Sequence, residues 1–554
     1  MYGYVFGTYD QAIHIPSLKK FADPSLYPGD AFMELRFQHF SYFWFLFIPS
    51  LRLGILEPTM FLIYVVILYF TFWAIWTLTE ALFQNRSACI LAVLIMIFPH
   101  VPFGGWNMLE FSLLNRTFVI PFLLWAIALY LKRRIVLAFA LLGVVYNFHA
   151  LSANFVLAMF LLDGVLEWRK IGMRRLALAM GAFLFCALPV LVWKISSPSA
   201  MPTVNPEWLS IIGRGALANT YFVFAPFPYP ILLTASGFAS IALYFVARSL
   251  SPRVRQHRTL TNFMLALLLI FTLHLVSVQW FPLTILIQMQ LIRAGVFIVL
   301  FAYLGMAYAL SQLEQSGEST PFHARLLFIA TLFPFPFVPV CGWLVQRVFS
   351  CARWRWTITL CGFGIAIVLS HALAQALGVW NPGINVYARQ TPWYDVQVWA
   401  RNNTPRNAVF ITPSHLWSFH ESDWRVFSER STVVTQPELM EIAFAPNYLP
   451  TWRERFAAIY PGALERMDGN QLAIPAIVQE AYYRLEEKDV LGAACRYGAT
   501  FFVTDRPRRY KLKQVYRNER FIVYSIASDS CSALTPNAFE TNVESSRRTR
   551  FHLR

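Results

Sequence analysis

Charge is scarce in this chain. Asp, Glu, Lys and Arg together make up 14% of its 554 residues, against 57% hydrophobic and 17% aromatic, which excludes a soluble protein of this size. Cysteine offers no metal site: the seven, at 89, 186, 341, 351, 361, 495 and 531, show no paired ligand spacing. Five of them fall in or beside apolar runs, where a small hydrophobe is the ordinary role. Cys495 and Cys531 can join only if their side faces an oxidising compartment. No GxxxxGK[ST] loop occurs, so ATP-driven chemistry is not expected. Ionisable residues are rare inside the apolar runs, where ion and proton relays need them, which argues against a transporter or channel.

What is present is apolar length. Stretches of about 20 residues recur, matching the thickness of a bilayer core. They are continuous rather than alternating, which indicates helices and not a barrel. Eighteen Trp and twenty-four Tyr suit the aromatic belts at the two membrane faces. Spans are expected near 58–80, 87–103, 113–131, 135–148, 150–166, 176–196, 229–247, 259–279, 292–312 and 357–379. The break at Asn147-Phe-His149 predicts that the fourth and fifth form a tight hairpin. The stretch 39–53, interrupted by Pro49, is short for a crossing and reads as interfacial or re-entrant. LLFIATLFPFPFVPVCGWLV (326–345) has basic residues on both flanks, so its FPFPF centre predicts a Pro-bent hairpin that enters and leaves on one face.

The formal charge of +16 does not point to nucleic acid, because the excess lies in the apolar part: 24 Lys/Arg against 12 Asp/Glu in residues 1–380, but 22 against 18 in 381–554. Sixteen of those 24, from Arg86 through Lys132, Arg169, Arg248 and Arg325 to Arg355, fall in alternate loops, which are therefore assigned to the cytoplasm. Loops 104–112, 197–228 and 280–291, and everything beyond the last span, then face outward. The first loop is ambiguous: either it lies outside and 39–53 does not cross, or it lies inside and 39–53 does. No span precedes it to carry it outward, so a start upstream of Met1 or a truncated chain is expected.

From residue 381 the character changes. WARNNTPRNAVFITP, STVVTQ and GATFFVTD contain short β-branched strands, and two segments between them carry helical periodicity. KLKQVYRNERFIVYSIA closes as a hairpin turning at Arg517-Asn518-Glu519. The fold class expected is mainly α: a polytopic helical membrane domain of about 10–12 spans plus a small C-terminal α/β soluble domain. The expected divisions are a first loop with juxtamembrane helices (1–38), the membrane domain (39–380), an extracytoplasmic α/β domain (381–527) and a Ser-, Asn- and Arg-rich tail (528–554) with nothing to bury.

The polar opening, GTYDQAIHIPSLKKFADPSLYPGD, carries the chemistry. Asp10 and His14 are four apart and share a face if helical; Asp23 and Asp30 stand in Pro- and Gly-marked turns. Each aspartate taken alone is as readily a cap or turn residue. Arg116 stands in the otherwise uncharged LLNRTFVIPF at the outer mouth of a span, where an isolated guanidinium is costly unless partnered; a snorkelling side chain or an ion pair with Glu110 is the plain alternative. Arg293 in QMQLIRAGVF repeats the argument, and Arg214 is a weaker third. His149 reads first as a helix-packing group. His14 could orient Asp10 or hold a metal with it, but no third clustered ligand is visible. SHLWSFHESDWR in the soluble domain, with His415 and His420, reads as a surface loop.

This layout resembles the GT-C class of integral membrane glycosyltransferases. The residues that carry the resemblance are DQAIHIP followed by DPSLYPGD, the LNRTFVIPFLLWAIALYLKRR span, the FHALSA break, the QLIRAGVFIVLF span and the WARNNTPRNAVFITP lead into the soluble domain. The last is similar to the corresponding stretch of oligosaccharyltransferase catalytic subunits and of uncharacterised bacterial relatives. The resemblance implies a polyprenyl-phosphate sugar as donor, an envelope acceptor, a bacterial inner membrane with the C-terminal domain outside, and a divalent cation as an optional cofactor. It implies a catalytic carboxylate in the first loop: Asp10 first, Asp30 second, Asp23 third, with His14 beside Asp10. Arg116, Arg293 and Arg214 are the expected phosphate-binding cations. The alternative is a non-catalytic relative that serves as a subunit or assembly factor of a larger membrane complex.

Overall fold

The structure, a computed structural model, describes residues 3–8, 10–38, 40–197, 206–215, 227–316, 321–348, 383–414, 421–470, 472–505 and 510–527, with single positions between 357 and 372 and Cys531. The amino-terminal strand β1 (Tyr4–Val5) leads into helix α1 (Gln11–Ala22). The membrane domain follows as α2 (Leu56–Phe83), α3 (Arg86–Met96), α4 (Asn115–Leu131), α5 (Ile135–Leu166), α6 (Met173–Ser196), α7 (Pro228–Leu250), α8 (Arg258–Gln279), α9 (Gly295–Ser316), α10 (Pro321–Thr331) and α11 (Phe337–Val348).

Among the described residues six helical stretches are long and apolar enough to cross a membrane. The count is lower than the ten spans expected for identifiable reasons. Helices α3 and α4 are apolar but short, the expected fourth and fifth spans join in α5, and 357–379 lies largely outside the described residues. Helix α9 runs through the centre of the bundle, almost wholly buried against α3, α7 and α8. The outer helices leave large apolar side chains such as Leu62, Phe185 and Ile195 exposed, as lipid contact requires.

Helix α5 is one stretch in name only. His149 leaves the helical region (φ −155°, ψ 85°), and beyond it the chain doubles back. The rings of Phe139 and Phe160 lie 5.4 Å apart, whereas 21 residues of straight helix would separate them by roughly 30 Å. The Tyr130 hydroxyl, at the end of α4, donates to Asp163 Oδ2 at 2.9 Å. The hairpin expected at Asn147-Phe-His149 is therefore present. Such a break frees backbone carbonyls at membrane depth, where each must find a donor. The short helical turns of 41–52 supply two: Tyr42 N–H donates to the Asn147 carbonyl at 3.0 Å and Ser41 Oγ to that of Phe148 at 2.6 Å. Of the stretch 39–53, the described residues 40–53 dock on the break and do not form a long helix. Gly143 lets α6 approach, since a Cβ there would strike the Phe183 carbonyl. Asn147 then locks the pair, its Nδ2 donating to the Cys186 carbonyl at 2.8 Å and its Oδ1 accepting from Val190 N–H at 3.1 Å.

Helices α10 and α11 are the Pro-bent hairpin expected from FPFPF, packed on each other. Its tip meets the end of α3, where Val101 N–H donates to the Pro334 carbonyl at 2.8 Å and His100 stacks on Tyr303.

The C-terminal domain begins with β2 (Ile384–Asn385), which pairs in parallel with β1. After α12 (Pro392–Asn403) come β3 (Val409–Ile411), α13 (Trp424–Ser428), β4 (Ser431–Thr432), α14 (Leu449–Ile459), α15 (Ile474–Tyr483), α16 (Glu487–Tyr497), β5 (Phe501–Thr504), β6 (Lys513–Arg517) and β7 (Ile522–Ser525). The sheet order is β4-β3-β5-β7-β6, parallel across the first three strands and antiparallel in the closing hairpin. Cys495 on α16 is joined to Cys531. His415, His420 and most of the 528–554 tail lie outside the described residues.

Asn147→Ala removes the side chain that ties the α5 break to α6 and leaves the Val190 N–H and Cys186 carbonyl without it. A loss of about 1–3 kcal/mol is expected, read as a lowered unfolding midpoint of the purified protein in detergent. An unchanged midpoint would contradict this account of the hairpin.

Candidate active site

Asp10 opens α1, yet its carboxylate makes no capping hydrogen bond to the helix; only its carbonyl does, accepting from Ile13 N–H at 3.1 Å and His14 N–H at 3.2 Å. The carboxylate turns inward instead. Gly7, at φ +76°, makes the tight bend before it, and Gln11 fixes the bend: its Oε1 accepts from Gly7 N–H and its Nε2 donates to the Leu113 carbonyl, both at 2.9 Å. Val5 N–H donates to the Phe111 carbonyl at 2.8 Å. The start of the chain and the loop before α4 are thus stitched together.

Across that seam stands Arg116, on the first turn of α4. Its Nη1 donates to Asp10 Oδ2 at 2.6 Å, while Nε and Nη2 grip the two oxygens of Glu110, both at 2.7 Å. Such a two-pronged fork is among the strongest side-chain contacts available. All three groups are largely buried, with side-chain exposures of 12–15%. Asp10 Oδ1 is buried with no hydrogen-bond partner among the described residues. Burial alone would raise the Asp10 carboxyl. Arg116, with smaller contributions from His14 and Arg293, outweighs it and holds the group below the usual carboxylate range.

Trp106 brings in the second cation. Its indole carries the guanidinium of Arg293 at 3.8 Å and that of Arg116 at 5.1 Å from the ring centroid, a cation–π arrangement on one plate. His14 stacks on Trp44 at 4.9 Å. His149 bonds Ser152 Oγ through Nδ1 at 2.8 Å. Asp10, His14, Arg116 and Arg293 therefore gather in one place.

The other expected site residues lie elsewhere. Asp30 is no free base: Arg425 Nε and Nη2 bind its two oxygens at 2.7 and 3.1 Å in a fully buried pair, and its Oδ1 also accepts from Phe32 N–H. Arg214 is not brought to the group; its Nε reaches the Ser210 carbonyl within its own helix (Pro206–Gly215), whose Trp208 donates to the Ile442 carbonyl of the soluble domain. Asp23 is a turn residue bonded to Ser25, with Arg406 alongside. Two members of the group carry no sequence signal that marks them as site residues. Glu110 reads in the sequence only as an alternative partner for Arg116, and Trp106 is one of eighteen tryptophans. Among the described residues no three His, Cys, Asp or Glu side chains gather as a metal-ligand set.

A family model described as a domain of unknown function (DUF6798) matches residues 391–459, from α12 to the end of α14 and outside the Asp10 group. No curated protein matches the chain. Among solved structures, the archaeal oligosaccharyltransferase AglB from Archaeoglobus fulgidus, in complex with an inhibitory peptide and a dolichol-phosphate, is similar over 91% of this chain at 13% identity and a TM-score of 0.40. The chain spans 66% of that protein's length.

Proposed function

We propose that the chain is a GT-C-like membrane glycosyltransferase that moves a sugar from a polyprenyl-phosphate carrier to an envelope acceptor on the extracytoplasmic face. The observation that supports this most is the convergence of one first-loop carboxylate, Asp10, with two guanidiniums from distant helices, Arg116 and Arg293, around a single indole. Asp10 Oδ1 is the oxygen left to take a proton from an acceptor hydroxyl. As that proton moves, the acceptor oxygen bonds the anomeric carbon, the bond to the lipid phosphate breaks, and the electron pair leaves on the phosphate. One carboxylate suffices for such an inverting displacement, in contrast to the paired acids of hydrolases.

The two cations divide the work. Arg116 is occupied by two carboxylates and holds Asp10 ionised and oriented; Arg293, face-on to Trp106, is the cation that meets the departing phosphate. The junction of Cys495 and Cys531 agrees with an oxidising compartment for the soluble domain.

With a labelled polyprenyl-phosphate hexose, Asp10→Asn is expected to lower transfer about 10²–10⁴-fold while leaving binding of the unsubstituted polyprenyl phosphate intact; Arg293→Ala weakens that binding. Full transfer by Asp10→Asn would end the proposal. Arg116→Leu strands two buried carboxylates, at a cost of about 3–5 kcal/mol. In the wild type the pair's contribution is present above the free-aspartate range and fades as pH falls through the depressed Asp10 value. In the variant burial raises the same carboxyl, so the deficit in unfolding midpoint should shrink on acidification.

A further inference from the structure

The soluble domain grips the first loop through α13. Lys19 donates to the Val426 carbonyl at 2.8 Å and to Glu429 at 2.7 Å, and the Tyr27 hydroxyl donates to the Arg425 carbonyl at 2.8 Å. At the centre is the Arg425 guanidinium. Asp30 from the first loop lies at 2.7 Å, Glu438 at 2.7 Å and Asp423 at 3.5 Å, with the Phe32 ring 5.1 Å away. Every one of these side chains is sealed from solvent, none more than 8% exposed. Among the described residues one guanidinium thus faces three carboxyl groups in an enclosed site. Fully ionised, the group would bury two uncompensated negative charges, which an interior resists by taking up a proton.

The hydrogen bonds say which carboxyl takes it. Asp30 is bound by Arg425 through both oxygens and by backbone N–H groups, a set suited to the anion. Glu438 receives Arg425 and Thr435 N–H on Oε1, while its Oε2 faces the Tyr448 hydroxyl at 2.7 Å, a group that can accept as well as donate. The groups facing Glu438 are Arg425, Asp30, Asp423, Tyr448 and Tyr460. Burial pushes its carboxyl up; Arg425 opposes and Asp30 adds to the rise, leaving it at about 7. Asp423 is raised for the same reason.

We infer that Arg425 and its three carboxyl partners form a proton-responsive clasp that closes the soluble domain on the first loop, so that the loop presenting Asp10 is held more firmly in acid than in alkali. Arg425 and Glu438 act as positioning residues. Because the Glu438 carboxyl is raised in the folded chain, its stabilisation is complete below the free-glutamate range and drains away as pH rises through about 7.

The test uses the full chain in detergent or nanodiscs, with unfolding midpoints taken from pH 5 to pH 9. The wild type should lose several degrees across neutrality. Glu438→Gln, which keeps the shape and hydrogen-bonding capacity of the protonated acid, should lose that step and match or exceed the wild type at the alkaline end. Identical pH dependence in the two proteins would overturn the clasp. If the variant does not fold, infrared difference spectra of the wild type decide: a protonated-carboxyl band that disappears near neutral pH supports the inference, and its absence at pH 5 to 6 refutes it. Neither readout uses a sugar substrate, so the outcome is independent of the glycosyltransferase reading.

Discussion

A guanidinium between two carboxylates is the constraint around which the first loop and the start of α4 are arranged. Arg116 cannot leave water cheaply, and neither can Asp10 or Glu110. Together, with three short charge-assisted bonds, they can. The three come from different segments: the first loop, the loop before α4 and the first turn of α4 itself. Satisfying one guanidinium therefore fixes the relative position of all three. Trp106 extends the same logic to Arg293, since one indole face can lie close to only so many cations.

The rest of the structure holds that arrangement from two sides. Below it, the reversal in α5 and its docking on residues 41–52 make a floor of helix ends in which the carbonyls of Asn147, Phe148 and Cys186 are answered locally. Above it, α13 and the Arg425 group clamp the first loop from the soluble domain. Asp10 thus sits at the start of a short helix gripped at both ends, which holds in a fixed orientation a carboxylate whose Oδ1 has no partner among the described residues.

Much of the fold was legible in the sequence because a bilayer allows few solutions. Uninterrupted apolar runs must become helices, FPFPF must bend, and Asn147-Phe-His149 interrupts a run that is too long for one tight crossing. The strands around Phe410 and Phe502 and the closing hairpin followed from β-branched and aromatic runs bounded by turns. The site was only half legible. Arg116 stands out as a charge in an apolar run, and Asp10 as the first of three aspartates in a polar opening loop. Asp10, Asp23 and Asp30 are alike in local sequence, and only their partners separate them: Arg116 for the first, Ser25 for the second, Arg425 for the third. The Asp30–Arg425 contact joins residues on opposite ends of the chain, and no local pattern encodes it. Glu110 is visible in the sequence as an ion-pair partner for Arg116, but no local pattern shows that the same guanidinium also binds Asp10, 106 residues away.

The pairing of β1 with β2 sets an order of events. Tyr4 is registered against Ile384, so β1 waits for a partner strand that is made only after helices α2 to α11. Until then the loop bearing Asp10 lacks its strap, its α13 contacts and the Arg425 group. The surroundings that fix this carboxylate are therefore complete only once synthesis of the C-terminal domain is essentially done.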